Sequence, residues 1–154
     1  MTKLSALVHE LESKITQNEK LNTAVSQKSV GWHIQHSLLV GLQIINAVEK
    51  SNHENYKWKF NLNRSFVYTL NKIPRGKGKA PESVKPSVAF NIDDLNKDFQ
   101  LLKTRLHVLN NLHPSSYFTH PYFGDLNFKA TVKMLEIHTK HHLDIINDIL
   151  KVKA

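Results

Sequence analysis

The stretch EIHTKHHLDII, residues 136–146, decides how this chain is read. It carries His138, His141 and His142 among Leu135, Ile137, Leu143, Ile145 and Ile146. On a helix that turns about 100° per residue, Thr131, Met134, Leu135, Ile145, Ile149 and Val152 fall within about 60° of His138. They form a stripe that must be buried. His142 lies about 40° from His138, inside that stripe, and His141 about 60° to the other side, at its edge. The i, i+4 spacing therefore stacks His138 over His142 on a core-facing surface. A wet surface cluster, a hydrogen-bonded core pair and a metal site are the three readings of such a pair. Buried imidazoles are costly unless their nitrogens are bonded, and one ion satisfies both.

A helix of this kind, expected over residues 126–152, needs partners, and the rest of the chain supplies them. Leu4, Leu7, Val8, Leu11 and Ile15 follow helical spacing and give a first helix over residues 2–21. Ser29 is a suitable N-cap for a second helix that runs to Lys50 and is apolar on nearly every side, so it should lie deep in a bundle. NYKWKFNLNRSFVYTLN, residues 55–71, reads as a third helix. Pro74, Gly76, Gly78, Pro81 and Pro86 then impose a long irregular connection. Ile92, Leu95, Phe99, Leu102, Leu106 and Leu109 mark a clear amphipathic helix, followed by a loop, HPSSYFTHPYFGD. No alternating strand pattern and no repeat is found. The expected architecture is all-α: a bundle of four core helices with an extra helical segment in the long crossover, forming one domain over residues 1–154.

Composition narrows the chemistry. The chain has no cysteine, so disulfides and thiolate ligands are excluded and any metal must sit on nitrogen and oxygen donors. No secretory signal and no apolar run of membrane-spanning length is seen, so a cytoplasmic protein without a membrane partner is expected. The net charge of +8 raises the question of nucleic acid. Most lysines, however, are interleaved with acids along the helices. The concentrated basic stretch, with Lys72, Arg75, Lys77, Lys79 and Lys85, has no aromatic residue for stacking bases. Solvated charge, or a patch for a small anionic molecule, fits it better than DNA or RNA.

The second helix supplies a third inward histidine. Around His36, the residues Trp32, Leu39, Val40, Gln43, Ile44 and Ala47 lie within about 80°, which centres His36 on a buried face. His33, about 60° off, is nearer the margin. His36, His138 and His142 would make a three-nitrogen site with a coordination position open for water or substrate. The zinc-protease HExxH is excluded because Thr139 follows His138, and the ferritin-like Glu-x-x-His because Glu136 stands two residues before His138.

SVGWHIQHSLL (29–39) taken with EIHTKHHLDII resembles the DinB-like (DinB/YfiT) metalloenzyme superfamily of bacterial four-helix bundles. PRGKGKAP (74–81) and HPYFGDL (120–126) resemble one branch of it. The resemblance implies a metal held by one histidine of the second helix and a His-x-x-x-His pair of the last, which fall on His36, His138 and His142. Relatives include metal-dependent transferases and isomerases that use a low-molecular-weight thiol. The expected function is therefore a metal-dependent enzyme, most plausibly a thiol S-transferase acting on a small molecule. It would use one divalent ion, zinc or nickel. Arg75, Lys77 and Lys79 would hold the carboxylates of a thiol cofactor. The alternatives are a metal-dependent hydrolase, with His120 or His141 as the acid/base group, and a non-catalytic, stress-related binding bundle stabilised by the metal. Trp32 and Tyr122 are expected to pack in the core, and a homodimer is one open assembly state.

Overall fold

The computed structural model describes residues 3–76, 81–86 and 91–151. Helices α1 (Lys3–Glu12), α2 (Val30–Lys50), α4 (Ile92–Val108) and α5 (Phe128–Leu150) form the bundle, and α3 (Leu62–Leu70) lies in the crossover between α2 and α4. Each core helix packs on two others, in the cyclic order α1, α5, α2, α4. Ile34, Leu38 and Ile45 of α2 meet Leu95 and Phe99 of α4 and Leu143 and Ile146 of α5 in a core from which water is excluded. Gly41 permits the closest approach of α2 to α4: a Cβ there would lie 3.0 Å from Leu102 Cδ1. This is the expected all-α bundle with an extra helical segment.

Side-chain caps fix where the helices begin. Ser29 accepts the Trp32 N–H at the start of α2, as its sequence position indicated. Asn61, Asn91 and Asn127 do the same for α3, α4 and α5. The ends differ from the expected spans. The first helix stops at Glu12, not near residue 21, and resumes only as a 3-10 turn over Ile15–Gln17. Ser13 Oγ donates to the Glu10 carbonyl and Asn18 Nδ2 to the Ile15 carbonyl, so side chains occupy acceptors that a continuing helix would use. The third helix covers only the second half of residues 55–71. Asn61 caps it in an extended conformation, and Asn71, left-handed at φ 50°, closes it.

The loop expected before the last helix contains a hairpin that the sequence reading missed. Strands β1 (Tyr117–His120) and β2 (Gly124–Asn127) pair antiparallel, with Phe118 opposite Leu126 and Thr119 opposite Asp125. Neither YFTH nor GDLN alternates apolar with polar residues, so the strand pattern is missing. The hairpin is anchored from outside. Arg64 of α3, only 9% exposed, donates to the carbonyls of Phe123 (3.4 Å), Asp125 (3.2 Å) and Lys59. A second, smaller core of Val67, Phe123, Leu126, Met134 and Ile137 joins α3, the hairpin and α5. Together these place the hairpin tip beside the histidines of α2 and α5.

Among the described residues, no helix is long and apolar enough to cross a membrane. One outward face of α3, made of Leu62, Phe66 and Leu70, is apolar and exposed, as are Trp58 and Phe60 just before it.

Candidate metal centre

α2 and α5 lie against each other, and their facing stripes bring His36, His138 and His142 together. One nitrogen from each ring can be chosen so that all three lie within 4.8 Å of one another. Two nitrogens around a tetrahedral zinc, with bonds of about 2.0–2.1 Å, sit about 3.4 Å apart, so the rings need draw in by about an ångström or so. The ring centroids are 5.2 Å apart for His36 and His138, 4.8 Å for His36 and His142, and 4.6 Å for His138 and His142.

The hydrogen bonds of these rings say which nitrogens are free. His36 Nδ1 donates to the Val84 carbonyl at 2.7 Å, because a carbonyl only accepts. Neutral His36 therefore carries its lone pair on Nε2, and Trp32 stacks on the ring at 5.1 Å and 13°. His142 uses Nδ1 against His33 Nδ1 at 2.9 Å, which leaves its Nε2 free. The ring nitrogens of His138 make no hydrogen bond among the described residues. Three ring nitrogens without another hydrogen-bond partner among the described residues thus converge. That donor set suits a borderline divalent ion.

Burial acts on every ring in the cluster. It holds His138 and His142 well below the usual histidine range, and the neighbouring imidazoles push them further down. Burial also lowers His36, partly offset by the Val84 carbonyl. All three are neutral at pH 7, as metal ligation requires. Among the described residues, no carboxylate joins the group. A dication here would keep most of its charge uncompensated and would favour an anionic ligand.

The centre lies on the wall of a cavity of about 310 Å³. Val40, Ile44, Phe118, Phe123 and Met134 make most of that wall apolar. Trp32 and Tyr122 line it too. Tyr122 is 53% exposed, so it is a rim residue and not the core packer expected from sequence. The two acid/base candidates both reach this cavity. His120, at the end of β1, stacks on Phe123 at 4.3 Å and accepts the Tyr122 N–H on Nδ1. Its proton then sits on Nε2, and burial lowers its pKa to about 4. His141 differs. Its ring lies beside Ile73 and Arg75, and in the neutral form it keeps one nitrogen as an acceptor. Burial and the nearby Arg75 hold it down, and the neutral form prevails.

His141, Ile73 and Pro74 also belong to a second, polar groove of about 850 Å³ that adjoins the cavity. Arg75 lies there, already paired with Asp148 at 2.8 Å, beside Lys72, Lys140 and Lys151. Lys77 and Lys79, proposed with Arg75 from sequence, lie outside the described residues. Lys140 and Lys151 were not singled out, since nothing in sequence brings the last helix beside the Pro74 turn.

His33 is the buried ring that helix arithmetic undervalued. Expected at a margin, it is 4% exposed and bonded to the ligand candidate His142. The missed signal was the apolar character of α2 on all sides, which leaves no true margin.

No curated protein and no solved structure matches the chain. A family model described as the DinB superfamily matches residues 3–146, the whole bundle up to the last turn of α5. On that match, and on the helical architecture it accompanies, the chain belongs to the DinB superfamily.

Proposed function

We propose that this protein is a metal-dependent enzyme, a thiol S-transferase acting on a small apolar electrophile. The observation that carries the reading is the convergence of three neutral imidazoles, without a carboxylate, on the wall of an open apolar cavity. His36, His138 and His142 would hold one divalent ion, zinc or nickel. Bound there, the ion supplies a Lewis acid that stabilises a thiolate near neutral pH. The remaining steps fall to the chain. His141, with its acceptor nitrogen, takes the thiol proton. His120 presents Nε2–H and donates to the anion that develops on the electrophile or its leaving group. Trp32, Phe118 and Phe123 enclose the apolar body and exclude water. Arg75 and Lys72 in the adjoining groove bind the carboxylates of the thiol, with Lys77 and Lys79 as further cations of the same segment. A low-molecular-weight thiol as co-substrate places the reaction in the cytoplasm.

The acceptor nitrogen of His141 equally supports a second reading, hydrolysis, in which a water replaces the thiol and loses its proton to the same ring. Cobalt-substituted protein separates the readings. A sulfur-to-metal charge-transfer band on adding glutathione or bacillithiol is the expected result. Ester or amide cleavage with no thiol band favours the hydrolase. Silence toward thiols, esters and amides leaves a metal that only ties α2 to α5.

A further inference from the structure

The three rings are not held in the same way. His36 is locked, because the Val84 carbonyl can only accept and so fixes the proton of His36 on Nδ1. His142 is not locked. Its Nδ1 faces another Nδ1, that of His33, at 2.9 Å, and His33 Nε2 in turn faces Ser26 Oγ at 3.0 Å. Only one proton fits between two nitrogens at that distance, and a hydroxyl can donate or accept. The chain therefore has two complete neutral arrangements.

In one, His142 Nδ1–H donates to His33, His33 Nε2–H donates to Ser26 Oγ, and the His142 Nε2 lone pair faces the other ligand candidates. In the other, every bond is reversed. Ser26 O–H donates to His33 Nε2, His33 Nδ1–H donates to His142, and a proton occupies the His142 Nε2 where an ion would bind. The Lys28 N–H that donates to Ser26 Oγ at 3.1 Å is compatible with both. So is the position of His33 itself, buried and wedged edge-on against Trp32 at 5.3 Å.

We propose that His33 and Ser26 form a reversible tautomer chain that sets whether His142 presents a lone pair or a proton to the metal, while His36 stays permanently in its ligating form. The inference rests on the metal reading of the three histidines. His33 is a positioning residue: it acts on the ion only through His142. Metal binding selects the first arrangement without changing the net charge of the dyad. A carboxylate in place of His33 would hold the ligating tautomer always. A neutral imidazole backed by a hydroxyl makes it conditional on the ion.

The test compares zinc affinity, by competition with a chromophoric chelator at pH 7.5, in wild type, His33→Leu, His33→Asn and Ser26→Ala. Thermal melts of the metal-free variants report folding. Removing such a supporting partner costs metal affinity about 10–100-fold, which is the loss expected for His33→Leu. In His33→Asn the amide oxygen stands where Nδ1 was and can accept from His142, so most of that loss should be recovered. Ser26→Ala, whose vacated partner water can reach, should lose only about threefold, less than the full supporting-shell effect. Nitrogen-15 spectra of the imidazoles need no variant. They should place protons on His142 Nδ1 and His33 Nε2 in the zinc form, with both arrangements populated in the metal-free form. Wild-type affinity in folded His33→Leu, or a His33 Nδ1 proton in the zinc form, overturns the chain while leaving the metal reading intact. A wild-type protein that takes up no divalent ion overturns both.

Discussion

Lowering the pH of the metal-free protein should destabilise it steeply, and the size of the effect follows from the buried rings. Burial drops His33 and His120 from 6.5 to about 4, and places His138 and His142 well below 6.5. A folded-state pKa below the unfolded one means that the unfolded chain binds more protons between the two values. Stability is then complete above about pH 6.5 and falls as pH drops toward 4. At pH 5 a ring shifted from 6.5 to about 4 costs on the order of 2 kcal/mol. The two rings with that shift, His33 and His120, together give on the order of 4 kcal/mol, and His138 and His142 act in the same direction. A loss of about 4 kcal/mol is a large part of the 5–15 kcal/mol typical of a domain. Urea unfolding at stepped pH, with chelator present, measures this directly. The slope of stability against pH between 6.5 and 5 should correspond to at least about two protons taken up on unfolding. A slope of less than about half a proton would refute the neutral buried cluster. Saturating zinc at a hundred times its dissociation constant should add about 3 kcal/mol at pH 7.5. That increment should fade on acidification, because protons compete for the same imidazoles.

Metal analysis of purified variants should find about one divalent ion per chain in wild type and a marked loss in His36→Ala, His138→Ala and His142→Ala. His141→Ala should keep its ion, since that ring stands outside the group of three; full occupancy in the other three variants would refute the ligand set. Arg64→Met should cost about 2–4 kcal/mol by equilibrium unfolding, because three carbonyls lose a charged donor, and Arg64→Lys should recover little, lacking the planar fork. A change below about 0.5 kcal/mol would mean that Arg64 does not anchor the hairpin. Replacing Leu62, Phe66 and Leu70 together by serine should leave stability within about 1 kcal/mol at micromolar protein, since each is more than half exposed. A larger, concentration-dependent loss would show that this face is covered by another chain in solution.

How much of this was legible in the sequence depends on the length over which a pattern repeats. The last helix spans six turns, so a stripe defined by Met134, Leu135, Ile145 and Ile149 fixes its phase well enough to tell His138 and His142 from His141. The same arithmetic placed His36 on the inner face of α2. It failed for His33 because phase gives a direction and not a neighbour. The side of α2 that carries His33 is covered by the segment around Ser26, which the chain brings back before the helix begins. Boundaries failed where a polar side chain took over a backbone partner, at Ser13 and Asn61, a choice that periodicity does not register. The hairpin failed because its strands are short and its stability comes from elsewhere, from Arg64 and from the apolar cluster behind Phe123 and Leu126.

The parts of the site that sequence could not assemble are the ones that give it direction. His36, His138 and His142 could be found one helix at a time, because each owes its position to its own helix face. Three connections surround these rings: the Ser26 turn behind His33, the Val84 turn over His36, and the hairpin that carries His120. Two of them fix a proton, on His36 Nδ1 by a carbonyl and on His120 Nε2 by a backbone N–H, while the Ser26 hydroxyl leaves the His33–His142 pair invertible. The bundle supplies the donors, and the loops decide which nitrogen of each ring is a lone pair. Substitutions in the loops should therefore change metal affinity and proton transfer without altering the bundle. Substitutions at the helix faces should do both, because the same stripes that hold His36, His138 and His142 hold the core.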